Sequence, residues 1–305
     1  MRIFRDHSAL PEDARGASAA IGNFDGVHRG HQHVLDLART DAPLAVVTFE
    51  PHPREVFAPD APPFRLMSPE TRAHRLEKLG VELLFELPFP AIAPLSAEAF
   101  MADVLADGLG LAHVVTGADF RFGKGRAGDV AALRDGGARL GFAVTTAELL
   151  GEEAPVSSTA IRAALTEGRP RDAAAMLGHW HRIDGPVLHG EKRGRDLGYP
   201  TANLSVDGLH LPRLGVYAVL FDVLDGPHRG AHRGVASLGV RPMFGENAPN
   251  LETHLFDFSG DLYGAPVSVA LVDFLRPEMT FDGLPGLIAQ MDRDSAQARD
   301  ILDAL

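Results

Sequence analysis

Two histidines three residues apart, where an apolar run gives way to a glycine-broken turn, are the sharpest chemical feature of the chain. They lie in Gly22-Asn23-Phe24-Asp25-Gly26-Val27-His28-Arg29-Gly30-His31, which follows the apolar segment Ala17–Gly22 and opens a helical pattern. A spacing of three puts His28 and His31 on one helical face. Gly26 and Gly30 let backbone approach a ligand closely, and a helix start offers unpaired N–H groups and the positive end of a dipole. Two imidazoles there can donate hydrogen bonds to a phosphate gaining charge in its transition state. Taken alone, the pair equally describes a glycine turn with two surface histidines.

A second polar group lies far along the chain. Thr201 and Asn203 are two apart and share a face of an extended segment. A hydroxyl and an amide oxygen are weak, neutral ligands, suited to Mg²⁺ that meets most of its charge on nucleotide phosphates. A lone Thr-x-Asn is usually a turn or capping feature. Just upstream, Gly190, Gly194 and Gly198 are evenly spaced in a basic stretch containing Lys192, Arg193 and Arg195. That stretch reads as a flexible flap able to cover phosphates with N–H groups and cations. No Walker A sequence occurs, which excludes a P-loop kinase. Glu246, Glu252, Asp257 and Asp261 are each candidates for a base that would activate a neutral alcohol. Residue type does not choose among them, although on a strand Glu252 shares a face with His254, Phe256 and Phe258.

The elements that must position these groups have two textures. Ala17–Gly22, Leu44–Phe49, Val81–Leu87, His113–Thr116 and Phe142–Thr146 read as strands. Helices are expected to start at Ser68-Pro69-Glu70, at Ser96-Ala97-Glu98 and at Asp129. This alternation implies a Rossmann-like parallel sheet with helices on its faces and ligands at the carboxyl ends of its strands. Thr116–Gly123 and Ser157-Ser158-Thr159-Ala160-Ile161-Arg162 fall at such ends. The Ser-Ser-Thr run suits a helix cap as well as a phosphate, and Arg162 adds a charged donor. Gly123–Gly128 matches G-x-G-x-x-G, but Ala118 to Phe122 separate it from the fourth strand, whereas a dinucleotide fingerprint begins directly at the end of the first. It reads as a basic loop, either mobile near phosphates or simply solvated.

After about Leu177 glycine and proline become dense, and Val216–Val223, Arg233–Leu238, Leu251–Phe258 and Val267–Leu275 follow without intervening helices. An antiparallel barrel or sandwich is expected, closed by a helix over Leu284–Leu302. The fold class is therefore α/β plus all-β, with a boundary near His179–Asp184 that gives domains 1–178 and 179–305.

The 305 residues are 45% hydrophobic and 23% charged with a net charge of −12. That composition provides two cores and argues against nucleic-acid or membrane-surface partners. Absence of cysteine removes disulfides, thiolate nucleophiles and zinc–thiolate sites together. With no signal-like leader and no membrane-length apolar run, the expected location is cytoplasmic.

Together with Thr48-Phe49-Glu50-Pro51-His52-Pro53, the His28/His31 string, Thr116–Gly123 and Ser157–Arg162 resemble the FMN adenylyltransferase module of prokaryotic-type FAD synthetases over most of residues 15–178. Gly194-Arg195-Asp196-Leu197-Gly198-Tyr199-Pro200-Thr201-Ala202-Asn203 resembles the riboflavin kinase signature. Gly234–Pro242, Leu251–Phe258 and Asp261–Gly264 extend that likeness over about residues 180–303. The resemblance implies a bifunctional enzyme that phosphorylates riboflavin to FMN and adenylylates FMN to FAD, both with MgATP. It implies catalytic roles for His28, His31 and Glu252, and nucleotide contacts at Gly22, Phe24, Asp25, Gly30, Ser157, Ser158, Thr159, Arg162, Gly190, Lys192, Arg195, Gly198 and Pro200. Flavin contacts are implied at His52, Pro53, Asp119, Phe120, Arg121 and Phe122, and metal contacts at Thr201 and Asn203. At Asp119 the resemblance leads one to expect Asn in some relatives. Delivery of FAD to apo-flavoproteins is a further implied partnership. The alternatives are a nucleotidyltransferase for another phosphorylated acceptor, which would not need the kinase-like half, and a catalytically silent flavin-binding regulator. The presence of His28, His31, Thr201, Asn203 and Glu252 argues against the second.

Overall fold

A computed structural model describes residues 1–148, 156–190, 198–243 and 246–305. They form two compact units, one from residues 1–62 and 72–157, the other from 63–71 and 158–305.

The first unit is a six-stranded, wholly parallel sheet of β1 (Arg2–Phe4), β2 (Ser18–Ile21), β3 (Leu44–Glu50), β4 (Leu83–Pro88), β5 (His113–Gly117) and β6 (Ala143–Ala147), in the order β1-β4-β3-β2-β5-β6. All four residues of β2 are buried, as in a strand covered on both faces, which is why it reads as an unbroken apolar run. β1 was not anticipated. Three residues at a sheet edge, with Ile3 largely exposed, are too few to show a period.

Between the strands lie α1 (Arg29–Leu37), α2 (Pro53–Phe57), α3 (Pro69–Lys78), which begins among residues of the second unit, α4 (Phe89–Ile92), α5 (Ala97–Ala99) and α6 (Val130–Leu140). Ser96 and Asp129 cap α5 and α6 with their side chains, as expected of these residue types. α5 widens into a π-helix over Phe100–Gly108, whose buried Phe100, Met101, Val104 and Leu105 join the core with Val47, Phe85 and Val114. β3, β2 and β5 are neighbours. Their carboxyl ends therefore bring together the turn after Ile21, the segment after Glu50 and the loop after Gly117.

The second unit carries α7 (Ser158–Thr166) and α8 (Pro170–Leu177), joined by a small core of Leu66, Ile161, Leu165, Ala173 and Leu177. Its sheet is antiparallel, built from β7 (His181–Pro186), β8 (Thr201–Ser205), β9 (Gly215–Val223), β10 (Gly230–Met243), β11 (Glu246–Leu255) and β12 (Pro266–Arg276), in the order β7-β12-β9-β10-β11-β8. Register shifts in β12 against β9, between Leu271 and Asp273 and between Phe274 and Arg276, mark bulge-type irregularities. The sheet curls until Leu188, just beyond β7, bridges Asn203 in the opposite edge strand β8. Alternate residues Leu204, Val219, Phe221, Leu238, Leu251, Val267 and Val269 fill the curl. The terminal helix α9 (Leu284–Asp303) lays Ala298 and Leu302 against Ala218 and Val272.

At the start of β7, His181 is almost fully buried, and its Nε2 has no partner among the described residues. Burial first, then the neighbouring His179 and His210, push its pKa from 6.5 down to about 3. The folded chain therefore refuses a proton that the unfolded chain accepts. The stabilisation is full above pH 6.5 and is lost as pH falls toward 3, with a slope of up to about 1.4 kcal/mol per pH unit. Urea unfolding of His181→Gln should show a shallower decline over that window than the parent. Parallel declines would mean that His181 is not a source of acid sensitivity.

Candidate functional site

The first cluster is built on the β2–α1 turn. Phe24, Gly26 and Val27 all have positive φ, at 52°, 90° and 43°. Two of the three are not glycine, so the turn is strained and must be held from outside. Its holder is the Asn23 carbonyl, which accepts from Thr48 Oγ1 at 3.2 Å and from Arg72 Nη1 at 3.4 Å. Arg72 is nearly fully buried, and its Nη2 lies 2.9 Å from both Glu50 and Glu86. Arg72 had no motif to mark it: it is one arginine in a charged helix, α3. Only the fold brings it to the turn.

His28 is the cap of α1. Its Nδ1 accepts from the backbone N–H of His31 at 3.3 Å, doing with an imidazole what Ser or Asp usually does. An Nδ1 that accepts leaves the ring proton on Nε2 when the imidazole is neutral. The two rings stack at 3.7 Å with planes 16° apart, and Phe24 packs on His31 at 4.9 Å. Gly30 makes this possible, since a Cβ there would stand 3.1 Å from the His28 ring. Burial, and second the charge of His28, hold the His31 pKa well below its ordinary value, so His31 is neutral near pH 7. Gly22, Phe24, Asp25, His28, Gly30 and His31 are thus gathered around one helix start.

The neighbouring strand ends contribute more. His52 caps α2, its Nδ1 accepting from Arg54 N while Glu55 reaches back to the His52 N–H. In the loop after β5, Asp119 and Arg121 are exposed and Phe120 is half-buried. Phe122 turns into the core, 5.5 Å from Phe100 and stacked on Phe120 at 5.6 Å. The Gly123–Gly128 loop forms a short 3₁₀ turn, with the Lys124 N–H bonded to Leu95 O at 2.7 Å. Ser157 ends the first unit, whereas Ser158, Thr159 and Arg162 belong to the second. There Arg162 donates to Phe64 O at 2.6 Å and lies over the Phe64 ring.

The second cluster lies on the β8–β11 pair. Antiparallel register sets Asn203 opposite Glu252 and Thr201 opposite His254. Strand alternation then puts Thr201, Asn203, Asn250, Glu252 and His254 on one face. Asn250 donates from Nδ2 to Asn203 Oδ1 at 3.3 Å and to Glu252 Oε1 at 3.2 Å. Gly190 abuts the Asn203 amide so closely that a Cβ would fall 2.5 Å from its Nδ2. The Pro200 carbonyl bonds the His254 ring at 3.0 Å, and the Tyr199 hydroxyl bonds Asp292 of α9. Gly198 and Pro200 complete the described part. Lys192, Arg193 and Arg195 lie outside the described residues, as does the side chain of Glu246.

The other acidic candidates are engaged elsewhere. Asp257 pairs with Arg299, whose hydrogen bonds hold the carboxyl below its usual range. Asp261 accepts from Tyr263 N in a turn. Glu252 is the one that faces Asn203. No group of three or more His, Asp or Glu side chains able to hold a metal occurs among the described residues. Thr201 and Asn203 nevertheless offer two neutral oxygens on one face beside a carboxylate. That donor set fits a magnesium ion carried in on phosphates and does not fit a resident ion in an all-protein cage.

Residues 10–160 match the FAD synthetase family and residues 177–302 the riboflavin kinase family. Bifunctional riboflavin kinase/FMN adenylyltransferases are similar over almost the whole chain. The protein from Pseudomonas fluorescens is 41% identical over 307 residues, covering 98% of this chain and 97% of its own. The Escherichia coli K12 protein is 38% identical with the same coverage, and that of Bacillus subtilis 35% identical, covering 98% and 96%. A crystal structure described as a macrolide-efflux protein from Streptococcus pneumoniae superposes with a TM-score of 0.82 at 30% identity, over 98% of each chain. Among the described residues no helix is long and apolar enough to cross a membrane.

Replacing Arg72 with Leu leaves the buried Glu86 with the exposed Arg5 in place of a buried guanidinium, and takes one of two donors from the Asn23 carbonyl. The expected cost is about 3–5 kcal/mol, seen as a lower urea midpoint with unchanged slope. A change below ~1 kcal/mol, the usual worth of an exposed ion pair, would show that this one is not a structural support.

Proposed function

The chain belongs to the bifunctional riboflavin kinase/FMN adenylyltransferase family, and from that premise we propose which residues carry its two reactions. The protein phosphorylates riboflavin to FMN and transfers AMP from ATP to FMN, giving FAD and pyrophosphate. Flavins are its substrate and product. We assign adenylyl transfer to residues 1–178 and phosphorylation to 179–305. Support comes from the two family matches, which leave 161–176 outside both. A cytoplasmic site of action and release of FAD to apo-flavoproteins belong to the same proposal.

The two acceptors differ in charge, and that difference allots the residues. Riboflavin presents a neutral alcohol. Glu252 takes its proton as the oxygen attacks the γ-phosphorus of ATP and ADP leaves. A magnesium ion held with Thr201 and Asn203 would neutralise charge on the phosphates. Gly190, Lys192, Arg195, Gly198 and Pro200 are assigned to the nucleotide. The observation that carries this half is the register that sets Glu252 opposite Asn203.

FMN arrives as an anion and needs no strong base. Its phosphate oxygen attacks the α-phosphorus of ATP, pyrophosphate leaves, and negative charge grows on the oxygens in flight. The His28 and His31 N–H groups and the start of α1 donate to that charge. A neutral His31 suits this role, since it donates without first having to gain a proton. Gly22, Phe24, Asp25, Gly30, Ser157, Ser158, Thr159 and Arg162 are proposed as nucleotide contacts. Flavin contact is proposed for His52, Pro53, Asp119, Phe120 and Arg121, with Phe122 anchoring that loop to the core.

The test is product analysis with riboflavin and FMN supplied separately, each with MgATP. His31→Ala should accumulate FMN with little FAD. Glu252→Ala should abolish FMN formation by roughly 10²–10⁴-fold yet still convert supplied FMN. Normal kinase turnover in Glu252→Ala would mean that the base lies elsewhere, and undiminished FAD output in His31→Ala would remove the imidazoles from the mechanism.

A further inference from the structure

Asn250 sits two residues before Glu252 on β11 and is 7% exposed. Its amide nitrogen has two protons and spends them on two different functional groups: Asn203 Oδ1 at 3.3 Å and Glu252 Oε1 at 3.2 Å. Its own Oδ1 is buried with no partner among the described residues. The amide is therefore oriented by what it donates. Turned over, it would set oxygen against two oxygens. Buried acceptors are rarely left unsatisfied, and those that are call for an explanation other than stability.

The position explains the choice of residue. Asn203 and Glu252 lie on adjacent strands, directly opposite each other. Backbone pairing fixes their Cα atoms but does not by itself orient one side chain toward the other. A carboxylate and an amide oxygen offer each other no hydrogen bond, since both are acceptors. A third group with two donors, reached diagonally from β11, joins them. Serine or threonine has one donor and could hold only one of the pair. A lysine would add a charge that competes with the nucleotide's cation for the same oxygens. The primary amide is a neutral group with two donors.

Resting on the roles proposed above for Asn203 and Glu252, we infer that Asn250 is a positioning residue of the kinase site: it yokes the metal-facing amide to the base so that both meet one substrate complex. It touches neither riboflavin nor ATP in this role. Its removal should lower the rate of phosphoryl transfer while leaving flavin binding nearly intact.

The experiment uses the full chain and compares Asn250→Leu, Asn250→Ser and Glu252→Gln, alone and with Asn250→Leu combined with Glu252→Gln. Asn250→Leu keeps the branching at Cγ and loses both donors. It should reduce kinase kcat roughly 10- to 100-fold, as misplaced catalytic groups do. The riboflavin KM should move less than about twofold, and more magnesium should be needed for half-maximal rate. Asn250→Ser should fall between Asn250→Leu and the parent, and it carries the test if the leucine variant unfolds. Because Asn250 acts through Glu252, adding Asn250→Leu to Glu252→Gln should cost much less than it does alone. A kcat for Asn250→Leu within twofold of the parent, or a loss that adds in full to that of Glu252→Gln, overturns the inference. A harmless Glu252→Gln instead overturns the assignment of the base, which is a separate failure.

Discussion

One backbone carbonyl organises the start of α1, where the proposed adenylyl-transfer residues gather. Asn23 O sits at the head of a turn with left-handed residues at Phe24, Gly26 and Val27, a conformation that costs energy at the two non-glycine positions. Thr48 and Arg72 hold it from the sheet side, and Arg72 is in turn held by Glu50 and Glu86. The turn decides where α1 begins, the beginning of α1 decides where His28 caps it, and the cap fixes the plane on which His31 stacks. A buried guanidinium with its two carboxylates contributes little net stability compared with apolar replacement of all three together, although removing the guanidinium alone is costly. Its return here is a fixed direction for the first turn of a helix.

The second half solves a different problem by register. A curled antiparallel sheet has no helix start to aim at phosphates in its site, so its polar groups come from alternate positions on adjacent strands. The pairing of β8 with β11 sets Asn203 against Glu252, and the bridge from Leu188 to Asn203 closes the curl at that residue. A slip of one residue would send Glu252 into the apolar interior occupied by Leu251 and Leu255. Specificity of pairing and placement of Glu252 beside Asn203 are thus one constraint. On the roles proposed for these residues, a neutral acceptor needs a base and a charged one needs donors, and each fold offers the group that its geometry places most readily.

Much was legible in the residues. The buried strands declared themselves as apolar runs, Ser96 and Asp129 announced their helices, and the two signatures were long enough to identify both halves. Other features left no trace. The edge strand β1 is too short for a period. The join of 63–71 and α7 to the second unit depends on Leu66, Ile161 and Leu165 packing together, and the change in texture near Leu177 gives no hint of it. Among the four acidic candidates, residue type was silent. Asp257 and Asp261 are separated from Glu252 by their partners Arg299 and Tyr263, which only folding supplies.

The sequence by itself determined the residue types, their spacing and the alternation that commits each half to parallel or antiparallel pairing, because these are local properties of three to ten residues. Tertiary structure alone decided that Arg72 reaches Asn23 across 49 positions and that Asn250 reaches Asn203 across 47. Hydrogen bonds of that range follow from how strands are ordered and registered in space. No period or motif along the chain encodes which distant donor will find which acceptor.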